Sequence, residues 1–468
     1  MECDVAVLGG GPGGYPAAIR AAQLGAKVVC VEKEPELGGT CLRVGCIPTK
    51  AWVETAHALK TAEETFAKLG VQVGDPRLDL TAANEWKDGV SKQMTAGVET
   101  LFKSHGIEWV RGAGRFSDAN TLAVEGGEDV SFKSAIVATG SYPIRPPIEG
   151  LDSSLCVDST GLLEQDDVPG RLVVLGGGII GCEFASIFQR FGSQVTIVEM
   201  LERLIPMEDE DASKELAKQF GRREIELHLG KQCTKVEEAG GALTVHFGEG
   251  ETVECDLMLV SVGRAPTVEA LGLEEAGVEF DRRKGIATDE HRRTTVPHIY
   301  AVGDVAGYWQ LAHTAFREGE VAAENACGHE AVIDNPAVPR PIYTDPEIAG
   351  VGLTEAQARE QYGDDVAVGR FPWLANGRAV MQNETAGWVK SIHETRYGEL
   401  LGLVMVGPRV TDLIEAGVVA IDAEATVETV ADGMAAHPTL SEAVKEAGLV
   451  ALGRPIHVAG RRRATARA

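Results

Sequence analysis

The chain of 468 residues carries 44 Lys and Arg against 70 Asp and Glu, a net charge of −26, with 55 glycines and 5% aromatics. Its length exceeds what one core supports and points to about three domains. So acidic a surface repels nucleic acid and anionic membrane, and no apolar run reaches the roughly 18 residues of a spanning helix, so neither is an expected partner.

In chain order, Met1, Glu2, Cys3 and Asp4 lead straight into an apolar run at 5–8, expected as a buried strand. No charged-then-apolar leader precedes it, and the cytoplasm is the expected location. Gly9, Gly11 and Gly14 follow as G-x-G-x-x-G; a helix is expected over 17–24, stopping at Gly25, and a second strand over 28–31, ending at Glu32. This βαβ pattern suits a dinucleotide. The first glycine permits the tight turn, the second lets backbone approach a pyrophosphate, and the third lets helix and strand pack closely. The helix N-terminus attracts the phosphates, and the acid some twenty positions on accepts a ribose hydroxyl.

Next comes GGTCLRVGCIPTK, residues 38–50, with Cys41 and Cys46 five positions apart. In a regular helix their Cα atoms would be about 8.7 Å apart, beyond the roughly 4.4–6.8 Å of a disulfide. Either the pair never bonds or the helix is distorted, and Val44 and Gly45 favour distortion. A distorted first turn would aim N–H groups at the sulfurs and favour thiolate. The other seven cysteines are dispersed, without a second short-spaced pair, so no metal site and no structural disulfide framework is expected.

The dinucleotide pattern then recurs. A strand over 172–175 leads into Gly176, Gly178 and Gly181, a helix over 185–191 stops at Gly192, and a strand over 195–198 ends at Glu199. Gly9, Gly11, Gly14 and Glu32 thus reappear at one offset of 167 positions. Two such units on one chain point to two nucleotides exchanging electrons, naturally a flavin and a nicotinamide. Glu199 would repel the extra phosphate of NADP, so NAD is expected. Farther on, Asp304 ends an apolar run at 299–302, where a carboxylate either binds a sugar hydroxyl or serves a turn. No nucleotide pattern appears in 336–468. His437 there precedes Pro438, read as the first helical position, with Glu442 one turn inside that helix. The imidazole suits either a thiol base oriented by a carboxylate or a capping role. The basic run Arg461, Arg462, Arg463 is read as a frayed end.

With its two flanking glycine patterns, GGTCLRVGCIPTK resembles the flavin-dependent pyridine nucleotide–disulfide oxidoreductases. So do AIVATGSYP (135–143), SVGRAPT (261–267), IYAVGDV (299–305), YTDPEIAGVGLTE (343–355) and HPTLSE (437–442), in the family's order. Within the family the chain is most similar to the branch that oxidises dihydrolipoamide. The resemblance implies an α/β fold with two Rossmann-like domains and a C-terminal α+β dimerisation domain. FAD would bind 1–148 and 270–335, NAD would bind 149–269, and 336–468 would form the interface. It further implies a redox disulfide between Cys41 and Cys46, with Cys41 exchanging with substrate and Cys46 facing the flavin. Lys50 and Glu183 would pair beside the flavin, and Asp304 would hold its ribityl chain. His437, oriented by Glu442, would serve the disulfide of the other subunit in a homodimer. Thr40, Gly140 and Gly263 join the cofactor-binding set on the same ground, and His313 stands as a flavin-side neighbour.

The implied reaction converts dihydrolipoamide, free or on a lipoyl domain, to lipoamide with reduction of NAD+. No lipoyl segment is present, so the carrier would be another protein. Arg43 and Thr314 depart from the family's usual residues, and Arg43 adds a positive charge that would lower the thiol pKa values. The alternatives are a diaphorase or a reductase of another small disulfide, or mainly a scaffold subunit on the core of a 2-oxo acid dehydrogenase complex.

Overall fold

Alternate residues of the first strand feed two different cores, and this sets the first layer of the molecule. The computed structural model describes residues 1–334 and 337–459; the expected boundary at 335/336 and the Arg461, Arg462, Arg463 run lie outside the described residues. Strand β1 (Glu2–Leu8) is followed by helix α1 (Gly14–Gln23) and strand β2 (Val28–Glu32). Ala6 and Leu8 pack with Phe116 and Leu122 on one face, while Val5 and Val7 pack with Ala17, Ala18 and Phe102 on the other. Helices α2 (Gly39–Val44), α3 (Cys46–Glu64) and α4 (Leu80–His105) precede strand β3 (Glu108–Arg111). The sheet runs β3, β2, β1, Val130–Val137, Thr121–Val124, Gly114–Asp118, with Ile299–Ala301 also paired to Val130–Val137.

A second sheet of five parallel strands is ordered Glu226–Leu229, Gln194–Glu199, Arg171–Leu175, Leu257–Val260, Cys156–Val157. The sequence repeat survives as a structural one. Gly9 and Gly176 take φ 104° and 108°, and a Cβ on either would stand 2.4 Å from a carbonyl oxygen, of Ala138 or Ser261. A Cβ on Gly14 or Gly181 would strike the carbonyl of Gly9 or Gly176, at 1.8 and 2.0 Å. Side chains there are excluded by the close approach of helix and strand.

The C-terminal part is a five-stranded antiparallel sheet, Arg340–Ile342, Glu347–Gly352, Leu400–Gly407, Trp388–Glu394, Val366–Pro372, against which helix Glu442–Ala451 packs. The three parts share one core. Trp52 on α3 meets Phe188 and Phe191 of helix Ile179–Phe191 edge-on at 5.7 and 5.8 Å, in a cluster with Ile342, Ile348 and Trp388. Truncating a buried indole of this kind costs about 3–5 kcal/mol.

Charges fix the same junction. The buried Lys390 ammonium meets Asp209, Asp211 and Glu355 at 2.9, 2.6 and 3.1 Å. Arg340 pairs with Glu208 at 2.9 Å. Removing one partner of such a pair costs about 3–5 kcal/mol, because the other is left buried and charged. Among the described residues, no helix is long and apolar enough to cross a membrane.

Candidate active site

Gly45 is where the helix carrying the two cysteines is interrupted. Its backbone turns to φ −143°, ψ −110° between the end of α2 and the start of α3. A Cβ here would lie 2.8 Å from the Thr40 carbonyl oxygen, so only glycine fits without a shift. The interruption brings the two thiols close enough for Cys41 to act as a hydrogen-bond donor to Cys46, and both cysteines are unbridged. That bond is the main reason the Cys46 pKa falls to about 7; burial opposes it and the Lys50 charge assists. Donating to Cys46, with burial second, pushes the Cys41 thiol far up. The negative charge of the pair therefore resides on Cys46. Arg43, expected to supply positive charge here, pairs with Glu34 at 3.1 Å, and among the cations acting on the pair Lys50 is the one that bears on both thiols.

Lys50 stands one helical turn beyond Cys46 on α3. Its Nζ donates to Glu183 Oε2 at 2.8 Å and lies 4.6 Å from the centre of the Tyr343 ring. Glu183 is almost wholly buried and accepts at Oε1 from the Tyr343 N–H at 2.9 Å. Burial opposes the Lys50 charge, yet Glu183, followed by the Cys46 sulfur, holds the ammonium above its usual value. Sequence reasoning missed Tyr343. It lies far from Lys50 along the chain, and its segment, YTDPEIAGVGLTE, is marked by family resemblance alone, without a role for the tyrosine.

The two glycine turns have the shape a dinucleotide needs. Neither α1 nor helix Ile179–Phe191 has a side chain capping its N-terminus. A Cβ on Gly178 would meet nothing within 4 Å, so the second turn is open to a ligand. At the first turn Gly11 faces Gly39, and a Cβ on Gly39 would stand 2.6 Å from the Gly11 Cα, so the two glycines approach backbone to backbone there. Glu32 accepts from the Gly10 N–H at 2.6 Å and the Glu34 N–H at 2.9 Å. Glu199 repeats this with Gly177 at 2.5 Å and Leu201 at 2.7 Å. Both acids thus brace their own glycine turns, and uncapped helix ends with open backbone fit a pyrophosphate at each.

Asp304 sits in the short turn Gly303–Ala306 and accepts from the Ser141 hydroxyl, which Arg264 also reaches at 2.8 Å. Gly140 and Gly263, at φ 70° and 123°, precede the paired strands Ser141–Pro143 and Arg264–Pro266. The Arg264 charge acts on Asp304 and, more weakly, on Cys46. Thr40 lies on α2 beside Cys41. His313 bonds the Pro339 carbonyl at 2.8 Å, and burial lowers its pKa. Thr314 is buried and donates to the Leu311 carbonyl at 2.7 Å.

His437 and Glu442 form a separate group on the C-terminal part. Nδ1 donates to Glu442 Oε1 at 2.8 Å, and the imidazole is 80% exposed. Burial opposes the Glu442 charge, but the Thr439 N–H and His437 hold its pKa below the usual range. The expected helix start at Pro438 is corrected: the helix begins at Glu442. The Glu442 carboxylate accepts from the Thr439 N–H at 2.9 Å and Asn376 donates to the Thr439 carbonyl at 3.0 Å. Side chains thereby satisfy this backbone in place of a helical turn. Among the described residues, no hydrogen bond or ion pair joins His437 to the thiol pair of its own chain.

Residues 3–319 match the family model "pyridine nucleotide-disulphide oxidoreductase", and 338–448 match its "dimerisation domain". A dihydrolipoyl dehydrogenase of Geobacillus stearothermophilus is 41% identical over 464 residues, covering 98% of each chain. One from Haloferax volcanii is 42% identical over 472 residues, again covering 98% of each. The solved structure of the HOCl-induced flavoprotein disulfide reductase RclA from Escherichia coli superposes with a TM-score of 0.87 at 28% identity, covering 95% of this chain and 99% of that one.

In the reduced protein, one thiolate should titrate with a midpoint near 7. Cys41→Ala should raise that midpoint by about one to two units, since a hydrogen bond to a charged group is worth about 1.5–3 kcal/mol. Ultraviolet thiolate absorbance against pH, taken as the difference from Cys46→Ser, reads it; an unmoved midpoint would refute the Cys41 bond as its cause.

Proposed function

The chain belongs to the pyridine nucleotide-disulphide oxidoreductases, flavoproteins that work with FAD and NAD, and on that premise we propose that it oxidises dihydrolipoamide to lipoamide while NAD+ becomes NADH. The observation that carries this reading is the pair Cys41 and Cys46 flanking the helix break at Gly45, with Lys50, bonded to Glu183, one turn beyond Cys46. The relatives named dihydrolipoyl dehydrogenase, matching along nearly the whole chain, support the substrate.

The residues act as follows. His437 Nε2 takes a proton from one substrate thiol, with Glu442 holding the ring through Nδ1. The substrate thiolate attacks Cys41 of the oxidised pair; the Cys41–Cys46 bond breaks and a mixed disulfide forms. Cys46 leaves as a thiolate, stabilised by Lys50. The second substrate sulfur, losing its proton to water, displaces Cys41 and closes lipoamide, and the proton held on His437 passes to Cys41, so one proton is released for each dithiol oxidised. FAD, when bound, would supply the two-electron chemistry that links the Cys41–Cys46 pair to NAD+.

Gly9, Gly11, Gly14, Glu32, Thr40, Gly140 and Asp304 would hold FAD, within 1–148 and 270–335. Gly176, Gly178, Gly181, Glu199 and Gly263 would hold NAD within 149–269. The exposed imidazole of His437 would serve the pair of a second copy, through 336–468. The lipoyl carrier and the core of a 2-oxo acid dehydrogenase complex are its proposed partners. The cytoplasm is the proposed location.

Repulsion between Glu199 and a phosphate at about 4 Å is about 1 kcal/mol in water and about 4 at an effective dielectric near 20. Turnover should therefore favour NAD over NADP by about one to three decades, and equal efficiency would remove this role for Glu199. Coexpressed Cys46→Ser and His437→Gln chains test the shared site. Each variant homodimer should lose at least about a hundredfold in lipoamide turnover. The isolated mixed dimer, with one intact site, should recover about half the wild-type rate; a silent mixed dimer would contradict catalysis across subunits.

A further inference from the structure

We propose that Tyr343 is a positioning residue of the redox centre: its ring and backbone together fix the Lys50 ammonium between Glu183 and Cys46. The ring centre lies 4.6 Å from Lys50 Nζ, within reach of the attraction between a cation and an aromatic face. The N–H of the same residue donates to Glu183 Oε1 at 2.9 Å while Oε2 takes Lys50 at 2.8 Å. One residue thus touches both members of the pair.

The segment carrying it is itself pinned. Two residues on, the Asp345 N–H donates to Ser186 Oγ at 3.0 Å. The Asp345 carboxylate meets Lys60 at 2.7 Å and Arg190 at 3.2 Å, and Arg223 donates to its carbonyl at 2.8 Å. Lys50 and Lys60 lie on α3; Glu183, Ser186 and Arg190 lie on the helix packed against it. The segment 343–345 crosses both helices and ties them together, and this holds the backbone that carries the ring in place against Lys50. Burial opposes the Asp345 charge, yet its cations draw the carboxyl pKa down to about 2, so the tie persists at neutral pH.

Groups acting on the thiols are Cys41 and Cys46 themselves, Lys50, Glu183, Arg264 and Tyr15. Of these, Lys50 is the cation with a ring against it. Freed from the ring, its ammonium would spend more time in solvent and less near Cys46.

The inference rests on the redox reading of the Cys41–Cys46 pair, and the test separates the two. The holoenzyme is reduced by two electrons, and the long-wavelength absorbance of the Cys46 thiolate against the flavin is followed with pH. Tyr343→Phe, which keeps the ring, should titrate like wild type. Tyr343→Leu should shift the midpoint upward by about half to one unit. Tyr343→Met reads the same shift should the leucine variant not hold its fold. A lowered melting temperature with a wild-type midpoint would reduce Tyr343 to packing and overturn the inference. A wild-type enzyme without any titrating band would overturn the redox reading, and this inference with it.

Discussion

The contact between two sulfurs across a broken helix is the constraint on which the rest of the structure turns. Five residues of unbroken helix would separate Cys41 from Cys46 too far to interact. The interruption at Gly45 removes that separation, and it is possible because residue 45 carries no side chain against the Thr40 carbonyl. It also makes Cys46 the first residue of a new helix, where unbonded N–H groups favour a thiolate. One turn along, Lys50 adds a full charge, and Glu183 keeps that charge in place. Each element narrows which sulfur is the anion.

Around this centre the chain uses one device twice. A buried parallel strand, a bare glycine turn and an uncapped helix form a cradle, and an acid at the end of the next strand braces the turn. The bracing bonds of Glu32 and Glu199 fall on equivalent N–H groups in the two copies. Reuse of the same hydrogen bond, and not only the same spacing, marks the repeat as a structural unit. The shared core around Trp52 and the charges of Lys390 and Asp345 then hold the two units and the C-terminal sheet in one arrangement.

Legibility in the sequence followed the range of the interaction. Gly9, Gly14, Gly176 and Gly181 could be read from spacing because a missing Cβ is a local requirement, enforced by backbone a few residues away. The distortion at Gly45 was readable for the same reason. The roles of Tyr343, Asp345 and Lys390 were not, because their partners come from remote parts of the chain and leave no periodicity; resemblance marked the segment holding the first two without saying what they do. The helix at Pro438 was misread since the Glu442 carboxylate, a side-chain feature, takes the place of the first turn. The ion pair of Arg43 with Glu34 had no mark in the sequence, since the two are nine residues apart across a turn. Family resemblance supplied the roles of Lys50, Glu183 and His437, which physical reasoning on the sequence left open.

The account requires that electrons from a dithiol substrate pass through the Cys41–Cys46 pair. Anaerobic titration of the flavin-loaded protein with dihydrolipoamide tests this most directly. Uptake of two electrons per subunit, with a long-wavelength band from a sulfur anion lying against the oxidised flavin, is the result it predicts. A flavin that bleaches without that band, or that does not respond to the dithiol at all, would contradict it.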